Sequence, residues 1–403
     1  MSHVGYSGLF GLTGRWYVVV AFIARLPLAM SQLGTLLLVA TTTDSYTYAG
    51  ICAGALAVCN AIGSPWFGSL TDRLGQTRIL LVQCLGGAAG LVGVVATRYF
   101  DAPWWLTAVV AALAGFALPQ IGQLARVRWR PIIGSHGADG RLVTTAFSYE
   151  GAADEASFVV GPMLVGAFAA LFGTWAPLLA AAALLLWFGL QFARHPSASL
   201  VTPAPTGSSR IPVWSAAFTV LFVAQFLIGN LFGSIQTGTT MMTRAAGHAE
   251  SAGLFHALLG IGSVSAGLAL GRVRRTPDHA RRLLLFATAM WVLSLPLLAV
   301  DGLWGLAGEL VILGFAIAPY MITTFTLGEL ITDRGRLATA MTFLAGATGL
   351  GYASGAGIAG RLVDAHGATA AFAVTLTATS VALVLAVAAR GLLRRAQARA
   401  AQV

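Results

Sequence analysis

Lysine is absent from this chain of 403 residues, and acidic residues are scarce, because Asp and Glu together number only 14. Charged residues make up 9% of the sequence and hydrophobic residues 57%, whereas about 25% of the residues in an average soluble domain are charged. A chain of this composition cannot cover a water-facing surface with polar groups. The composition therefore excludes an ordinary soluble globular domain and indicates that lipid is the solvent.

Cysteine is also rare. Cys52, Cys59 and Cys84 all lie in apolar stretches without metal-ligand spacing, and an odd number cannot form a fully paired disulfide framework. We interpret them as small buried hydrophobic residues. The sequence has no G-x-x-x-x-G-K-[ST] phosphate loop and no haem, flavin or metal signature, so we expect no cofactor and no direct use of ATP.

Long apolar stretches follow one another along the whole chain, each of about 20 residues or more, the length of a membrane-crossing helix. Helices are favoured over a barrel because barrel strands are alternating segments of about 10 residues. The twelve predicted spans are 15–40, 46–70, 79–97, 103–127, 143–172, 174–193, 213–238, 249–272, 281–300, 303–327, 336–360 and 367–390.

A stretch rich in proline and serine divides these spans into two sets of six. Residues 1–193 are predicted to form an N-terminal six-helix bundle, 194–212 a cytoplasmic linker, and 213–403 a C-terminal six-helix bundle with a short basic tail. The expected fold is therefore an all-α membrane protein with twelve transmembrane helices in two six-helix bundles.

The arginines predict the orientation of these spans. With the N-terminus inside, twenty arginines fall on the cytoplasmic side and only Arg98, Arg244 and Arg361 on the outer side. Cytoplasmic loops carry an excess of positive residues, so both termini are expected in the cytoplasm. The same pattern, with arginines in short loops, argues against nucleic-acid binding as the reason for the net charge of +10. Abundant Ala, Gly, Val, Leu and Arg suggest GC-rich coding, and hence the inner (plasma) membrane of a bacterium.

The loop after the second span reads Gly68-Ser-Leu-Thr-Asp72-Arg73-Leu-Gly75-Gln-Thr-Arg78. It resembles the G-x-L-x-D-R-x-G-x-x-R signature of the major facilitator superfamily, whose members also have six plus six helices and a central linker. The resemblance implies the major facilitator fold and a cytoplasmic latch between the two halves, formed by Gly68, Asp72, Arg73, Gly75 and Arg78. The alternative is a hairpin whose arginines only set the topology.

The fifth span carries three carboxylates near its start. At about 1.5 Å per residue, Asp154 lies roughly 15 Å along the helix, near the bilayer midplane, where a carboxylate by default marks an ion, proton or substrate path. Glu150 shares its helix face, and Glu155 points away. Arg25 has a similar predicted depth in the first span, and we expect it to pair with Asp154 or Glu155. The alternative is that Arg25 is only a structural counter-ion.

Gly161-Pro162 follows these carboxylates as a weak point of the same helix. The pair resembles the core of the antiporter motif in major facilitator exporters, with Gly166 after it but without the doubled glycine. The resemblance implies a hinge at Gly161 and Pro162 and favours export.

Uncharged polar residues inside spans supply the candidates for a substrate cavity, since amides can bind a solute or another helix. These candidates are Gln120, Gln123, Tyr149, Asn230, Gln236 and His256. Arg126, near the end of the fourth span, is interpreted as an arginine that sets topology. The alternative is a displaced form of the arginine that antiporter-type members of the family it resembles carry in the middle of that span. The resemblance also implies that the glycines of the eighth and eleventh spans serve the moving contacts between bundles, with simple packing as the alternative.

The predicted function is a secondary active transporter that exports small amphipathic solutes, drugs or metabolites, in exchange for protons by alternating access. A proton-coupled uptake symporter and a non-transporting membrane receptor remain as alternatives. A membrane enzyme would need a nucleophile, acid or metal constellation near one surface, and the sequence contains none that we can identify. A monomer is expected, with a small solute and protons as its partners.

Overall fold

The computed structural model describes residues 5–139, 142–201, 213–248, 251–273 and 278–400, apart from the side chains of Tyr46 and residues 364–366. Within these ranges the chain forms helices, turns and bends, with no strand. The α-helices are α1 Tyr6–Ile23, α2 Leu26–Thr43, α3 Tyr46–Leu74, α4 Gln76–Tyr99, α5 Trp104–Ala117, α6 Ile121–Ser135, α7 Leu142–Phe172, α8 Ala176–Leu184, α9 Leu190–Arg194, α10 Ala216–Ala245, α11 Ala252–Leu270, α12 His279–Ser294, α13 Gly302–Ile331, α14 Leu337–His366 and α15 Ala368–Ala400.

Eleven segments of the described chain are long and apolar enough to cross a membrane. Three of them combine successive helices: α1 with α2, α5 with α6, and α8 with α9 through a π-helical turn at Leu185–Gly189. The thirty-residue helix α14 occupies the place of the remaining predicted span. The all-helical membrane fold predicted from the apolar stretches is therefore confirmed.

Two predicted spans differ from the structure in an instructive way. The first begins earlier, at Tyr6, and is interrupted at Ala24 and Arg25. The fourth ends only at Ser135 and is interrupted between Ala117 and Ile121, at Leu118-Pro119-Gln120. Most of the predicted linker, residues 202–212, lies outside the described residues, and its earlier part forms a short 3-10 turn at Pro196–Ala198.

The chain divides into two compact units. Unit 1 comprises residues 1–143, 157–210 and 334–346, and unit 2 comprises residues 144–156, 211–333 and 347–403. These units differ from a simple division at the linker, because two helices belong to both of them. The first two residues of helix α7 belong to unit 1, residues 144–156 to unit 2 and the rest to unit 1 again, whereas α14 begins in unit 1 and continues in unit 2.

Unit 1 has a core formed mainly of Leu, Ala, Val and Met side chains from α2, α3, α4, α5, α7 and α8 and from the turns after α5 and α8. It includes Met30, Leu91, Leu118 and Leu185, all fully buried. In lipid the hydrophobic effect does not drive helices together, so close packing of such side chains holds the unit.

Unit 2 is held partly by backbone contact between α10 and α14. A Cβ atom added to Gly351 would overlap the carbonyl oxygen of Phe226, and one added to Gly355 would overlap that of Asn230. Gly262 of α11 similarly faces the backbone of α13 at Val311. Small residues allow such close approach of membrane helices. At these glycines of the eighth and eleventh spans, packing within one unit explains the glycine, and the predicted role in moving contacts between bundles is wrong there.

Candidate functional site

The three carboxylates predicted from the fifth span lie in the part of α7 that belongs to unit 2. Glu150 is fully buried, with 0% of its surface exposed, and Asp154 and Glu155 are half-buried. Tyr149, a predicted cavity residue on the same turn, is half-buried as well. Burial of acidic groups within a membrane-crossing helix is costly and is the usual mark of a functional position.

Neighbouring helices of unit 2 hold this carboxylate segment closely. The Thr145 hydroxyl donates a hydrogen bond of 3.1 Å to the backbone carbonyl of Gly271, at the end of α11. A Cβ atom on Gly151 would come within 2.7 Å of the Ile322 side chain in α13. The beginning of α7 is therefore positioned by α11 and α13.

Gly161 and Pro162, the predicted hinge, lie in the part of α7 that belongs to unit 1. A Cβ atom on Gly161 would come within 2.7 Å of the Ala29 Cβ in α2, so glycine permits close packing at this position. Helix α7 is continuous through Pro162. The carboxylates and the Gly-Pro pair thus lie on one helix but in different units.

Arg25 lies at the junction between α1 and α2, where it precedes Leu26 and Pro27. Only 4% of its surface is exposed, so its burial in the first predicted span is as expected. Arg25 belongs to unit 1, whereas Asp154 and Glu155 belong to unit 2. Its pairing with either carboxylate stays a prediction.

The signature loop places Asp72 at the start of α14. One carboxylate oxygen of Asp72 accepts a hydrogen bond of 3.0 Å from the Ala338 N–H, and the other accepts one of 2.8 Å from the Thr339 N–H. The Thr339 hydroxyl donates a further bond of 2.6 Å to that second oxygen. Asp72 therefore satisfies N–H groups in the first turn of α14 that have no partner within the helix, and its negative charge suits the positive end of the helix dipole.

The two glycines of the signature have separate structural reasons. A Cβ atom on Gly68 would come within 2.9 Å of the Ala338 carbonyl oxygen, so glycine lets α3 approach α14. Gly75 has a φ of 86°, a left-handed conformation that glycine adopts without strain, and it allows the reversal from α3 to α4. Arg73 and Arg78 are exposed on either side of this turn.

The interrupted fourth span exposes backbone groups that Asn60 of α3 satisfies. Its amide donates hydrogen bonds of 2.9 Å to the carbonyl oxygens of Gly115 and Leu118, and its own oxygen accepts one of 2.8 Å from the Gln120 side chain. Non-helical backbone at membrane depth is tolerated where protein groups satisfy it or where it lines a cavity. Gln120 thus braces the interruption, and Asn60, which the sequence did not single out, is its main partner.

Arg126 is not a loop residue. It lies inside α6 with 2% of its surface exposed, and it donates a hydrogen bond of 3.1 Å to Gln123, which is buried as well. The interpretation of Arg126 as an arginine that sets topology stays a prediction, but its side chain also has a partner within the protein, because α6 extends to Ser135. The same extension buries Arg128 completely.

Arg128 joins three helices of unit 1. Its Nε donates a bond of 2.7 Å to Gln76, one Nη donates to the Phe192 carbonyl at 2.8 Å and to Ser197 Oγ at 3.1 Å, and its guanidinium carbon lies 3.8 Å from the centre of the Phe192 ring. Sequence reasoning missed this cluster because its members are far apart in the chain. The available signal was the pair of arginines two residues apart at the end of an apolar stretch.

His195, just beyond the end of α9, also belongs to the cluster around Arg128. Its Nδ1 accepts a hydrogen bond of 3.2 Å from the Ser197 N–H and lies 2.9 Å from Ser197 Oγ. Burial, and then the charge of Arg128, lower the pKa of His195 below its ordinary value of 6.5. The neutral imidazole is therefore the form that this geometry stabilises.

The remaining cavity candidates occupy different environments in unit 2. Asn230 is buried and donates a bond of 2.9 Å to Ser354, so it ties α10 to α14. Gln236 is exposed on α10 and accepts a hydrogen bond from the Tyr352 hydroxyl. His256 is half-buried on α11, and its Nδ1 has no hydrogen-bond partner in the described part of the chain.

Buried carboxylates and an interrupted span within an all-helical membrane fold are typical of multi-pass membrane transporters. A sequence model of the Major Facilitator Superfamily matches residues 17–328. The chain therefore belongs to the major facilitator superfamily of transporters. No sequence among the curated proteins matches it significantly.

Solved structures of similar fold include several transporters. The human organic anion transporter MFSD10 is 19% identical, with a TM-score of 0.67, and the similarity covers 92% of this chain and 99% of that one. A bacterial homologue of the iron transporter ferroportin, in an outward-facing state, is 12% identical with a TM-score of 0.71 and coverages of 92% and 97%. The proton:xylose symporter XylE is 12% identical with a TM-score of 0.71 and coverages of 93% and 94%. At these identities the similarity establishes the fold alone.

Proposed function

We propose that this transporter exports small amphipathic solutes, drugs or metabolites, in exchange for protons by alternating access. The observation that carries the proposal is the position of Glu150, Asp154 and Glu155. They are buried or half-buried on α7, a helix shared by both units. A proton taken up by such a carboxylate removes a charge from a membrane-crossing helix, where charge is costly.

The sharing of α7 gives protonation a mechanical consequence. The carboxylates belong to its unit 2 part, and Gly161 and Pro162 belong to its unit 1 part. A change in charge at Asp154 would alter how firmly the first part of the helix is held, and the Gly-Pro pair would absorb the resulting bend. Protonation then biases one of two arrangements, as alternating access requires. We propose that Arg25 pairs with Asp154 or Glu155 in one of them.

Export is favoured over import because Gly161-Pro162 resembles the exporter motif of the family. The alternatives are a proton-coupled uptake symporter and a receptor that binds a solute without moving it. Similar folds include proteins described as symporters, such as XylE, so fold alone does not choose a direction. The transport assay below distinguishes the three.

The cytoplasmic latch is the second part of the proposal. We propose that Gly68, Asp72, Arg73, Gly75 and Arg78 stabilise one arrangement through the cap on α14, a helix that both units share. The predicted orientation places this loop and both termini in the cytoplasm. We also propose that the transporter lies in the plasma membrane of a bacterium and works as a monomer.

The test is proton movement in proteoliposomes under an imposed pH gradient, with lipophilic cations, aromatic acids, antibiotics, amino acids and sugars added in turn. Wild type is compared with Asp154→Asn, Glu150→Gln and Glu155→Gln. Asp101→Asn is a matched control, because Asp101 is an exposed aspartate with a φ of 49°, which asparagine also adopts. If one class of compound collapses the pH gradient in wild type and in the control but not in an α7 variant, that result supports proton exchange at the substituted carboxylate.

Other outcomes separate the alternatives. Solute accumulation in the direction of proton flow would identify a symporter. Binding of a compound without movement of solute or protons would identify a receptor. Exchange that survives all three α7 substitutions would refute these carboxylates as the coupling site.

A further inference from the structure

A cavity of about 370 Å³ lies between the later parts of α10 and α14 in unit 2. This volume falls in the range of sites for small molecules. Its wall includes the predicted cavity residue Gln236 and also Arg244, one of the three arginines that the topology places on the outer side. None of the described residues that line it is acidic.

One side of the cavity is a polar face of α10. Gln236, Thr240 and Arg244 are spaced four residues apart, so they lie along one side of the helix, and all three are exposed. Exposed polar and charged groups on a membrane helix turn toward water or protein, because contact with lipid is costly. This face therefore belongs to an aqueous opening.

The hydrogen bonds of this face leave donors available for a ligand. The Gln236 side-chain oxygen accepts the Tyr352 hydroxyl, and no hydrogen bond of the Gln236 NH₂ group is found within the described residues. The Thr240 hydroxyl donates to the Gln236 backbone carbonyl at 2.8 Å. The guanidinium of Arg244 forms no ion pair with an acidic residue of the described chain. The described lining residues thus supply donors and one positive charge and no carboxylate, a set that suits an anion.

The other side of the cavity is apolar. Met241 and Val363 line it, and both pack against a small hydrophobic cluster with Ala359, Ala371 and Val374. A ligand that satisfies both sides carries an anionic group at one end and a hydrophobic body at the other. The bidentate geometry of arginine matches a carboxylate.

We propose that this cavity binds small amphipathic carboxylates, with Arg244 and Gln236 holding the carboxylate and Met241 and Val363 contacting the hydrophobic body. The inference rests on the proposed function, because it identifies such acids as a substrate class of the exporter. It adds a site on the outer half of unit 2, apart from the carboxylates of α7.

The experiment measures direct binding to the purified protein in nanodiscs of zwitterionic lipid, by fluorescence of a naphthyl carboxylate and of the matching uncharged naphthyl amide. The variants are Arg244→Gln, Arg244→Lys, Gln236→Leu and, as the matched control, Arg361→Gln. Arg361 is an exposed arginine of α14 on the same predicted side, and it does not line the cavity. Thermal unfolding of each variant verifies that it is folded.

We expect the carboxylate to bind at least about tenfold more tightly than the amide, a difference of about 1.4 kcal/mol. The preference should vanish in Arg244→Gln and persist in Arg361→Gln. It should weaken in Gln236→Leu and in Arg244→Lys, which keeps the charge but not the bidentate geometry. The site would be overturned if the two probes bound equally or if the preference survived Arg244→Gln. It would also be overturned if Arg244→Gln and Arg361→Gln lost the preference equally. Displacement of the probe by anionic lipid alone would also overturn it, in favour of a lipid headgroup site.

The transport assay keeps the two proposals separate. Binding of the carboxylate without proton-coupled movement of any compound refutes the exporter and leaves the site. Proton-coupled export of other solutes, without a carboxylate preference, refutes the site and leaves the exporter.

Discussion

Asp72 and Thr339 are 267 positions apart in the chain, yet the Asp72 carboxylate accepts hydrogen bonds both from the backbone N–H of Thr339, at 2.8 Å, and from its hydroxyl, at 2.6 Å. The aspartate of the signature loop is therefore the N-terminal cap of α14. Replacing an N-cap carboxylate by alanine removes about 0.5–2 kcal/mol of stability in soluble proteins.

We predict that Asp72→Ala lowers the apparent melting temperature in detergent more than Thr339→Val, which removes only the hydroxyl donor and keeps the N–H. Asp72→Asn keeps an acceptor but loses the charge that suits the helix dipole, so its loss is intermediate. Asp101→Asn serves as a control on an exposed turn. Unchanged melting and unchanged transport in Asp72→Ala would contradict the cap.

Glycines on a single helix should respond in opposite ways to alanine. Gly351→Ala places a methyl group on the Phe226 carbonyl oxygen, and overpacking of this kind costs about 1–3 kcal/mol. Gly357 on the same helix has no atom within 4 Å of an added Cβ, so Gly357→Ala should be neutral or stabilising by up to about 1 kcal/mol, through helix propensity. Thermal unfolding of the two variants measures the difference. Equal effects would mean that α10 and α14 do not pack in backbone contact.

We predict that unit 1 becomes less stable toward unfolding at acidic pH because of His195. Its pKa in the folded protein is lowered, first by burial and then by Arg128. The unfolded chain therefore binds more protons than the folded chain once the pH falls through the ordinary value of 6.5. The stability that His195 contributes is fully present above that pH and is lost as the pH falls toward the lowered pKa. Below that range the loss no longer grows.

Melting temperatures of wild type and His195→Gln between about pH 5 and 8 measure this contribution, because that range brackets the ordinary histidine pKa of about 6.5. The variant should lose part of the acid sensitivity of wild type. His248→Gln, which changes an exposed histidine after α10, should keep it. Parallel pH curves for all three proteins would show that His195 does not contribute.

The interrupted fourth span depends on Asn60. Asn60→Leu leaves the carbonyl groups of Gly115 and Leu118 without their donor, and each buried unsatisfied group costs about 1–3 kcal/mol. Gln120→Leu removes only its single bond to Asn60, so its loss should be smaller. The double variant should lose less than the sum of the two, because the residues share that bond. Strict additivity in thermal unfolding would contradict the shared network.

The apolar stretches alone predicted the helical membrane fold and most span positions. Hydropathy is a local property, and in lipid each backbone N–H and C=O must find a partner, which a helix supplies from its own segment. The loop Gly68–Arg78 likewise indicated the superfamily, and Glu150, Asp154 and Glu155 stood out as carboxylates in an apolar helix. For these features, the residue types and their spacing contain the information.

Tertiary structure decided what those residues contact. Arg126 lay near the end of the fourth predicted span and Arg128 just beyond it, but α6 extends past both and they are buried. Arg128 binds Gln76 and Ser197. The glycine pattern of α14 could not show that Gly351 faces Phe226 rather than a moving surface. Nor could it show that α7 and α14 are shared between units. These outcomes depend on contacts between distant segments, such as Gln76 and Arg128, which are 52 positions apart, and local composition does not encode them.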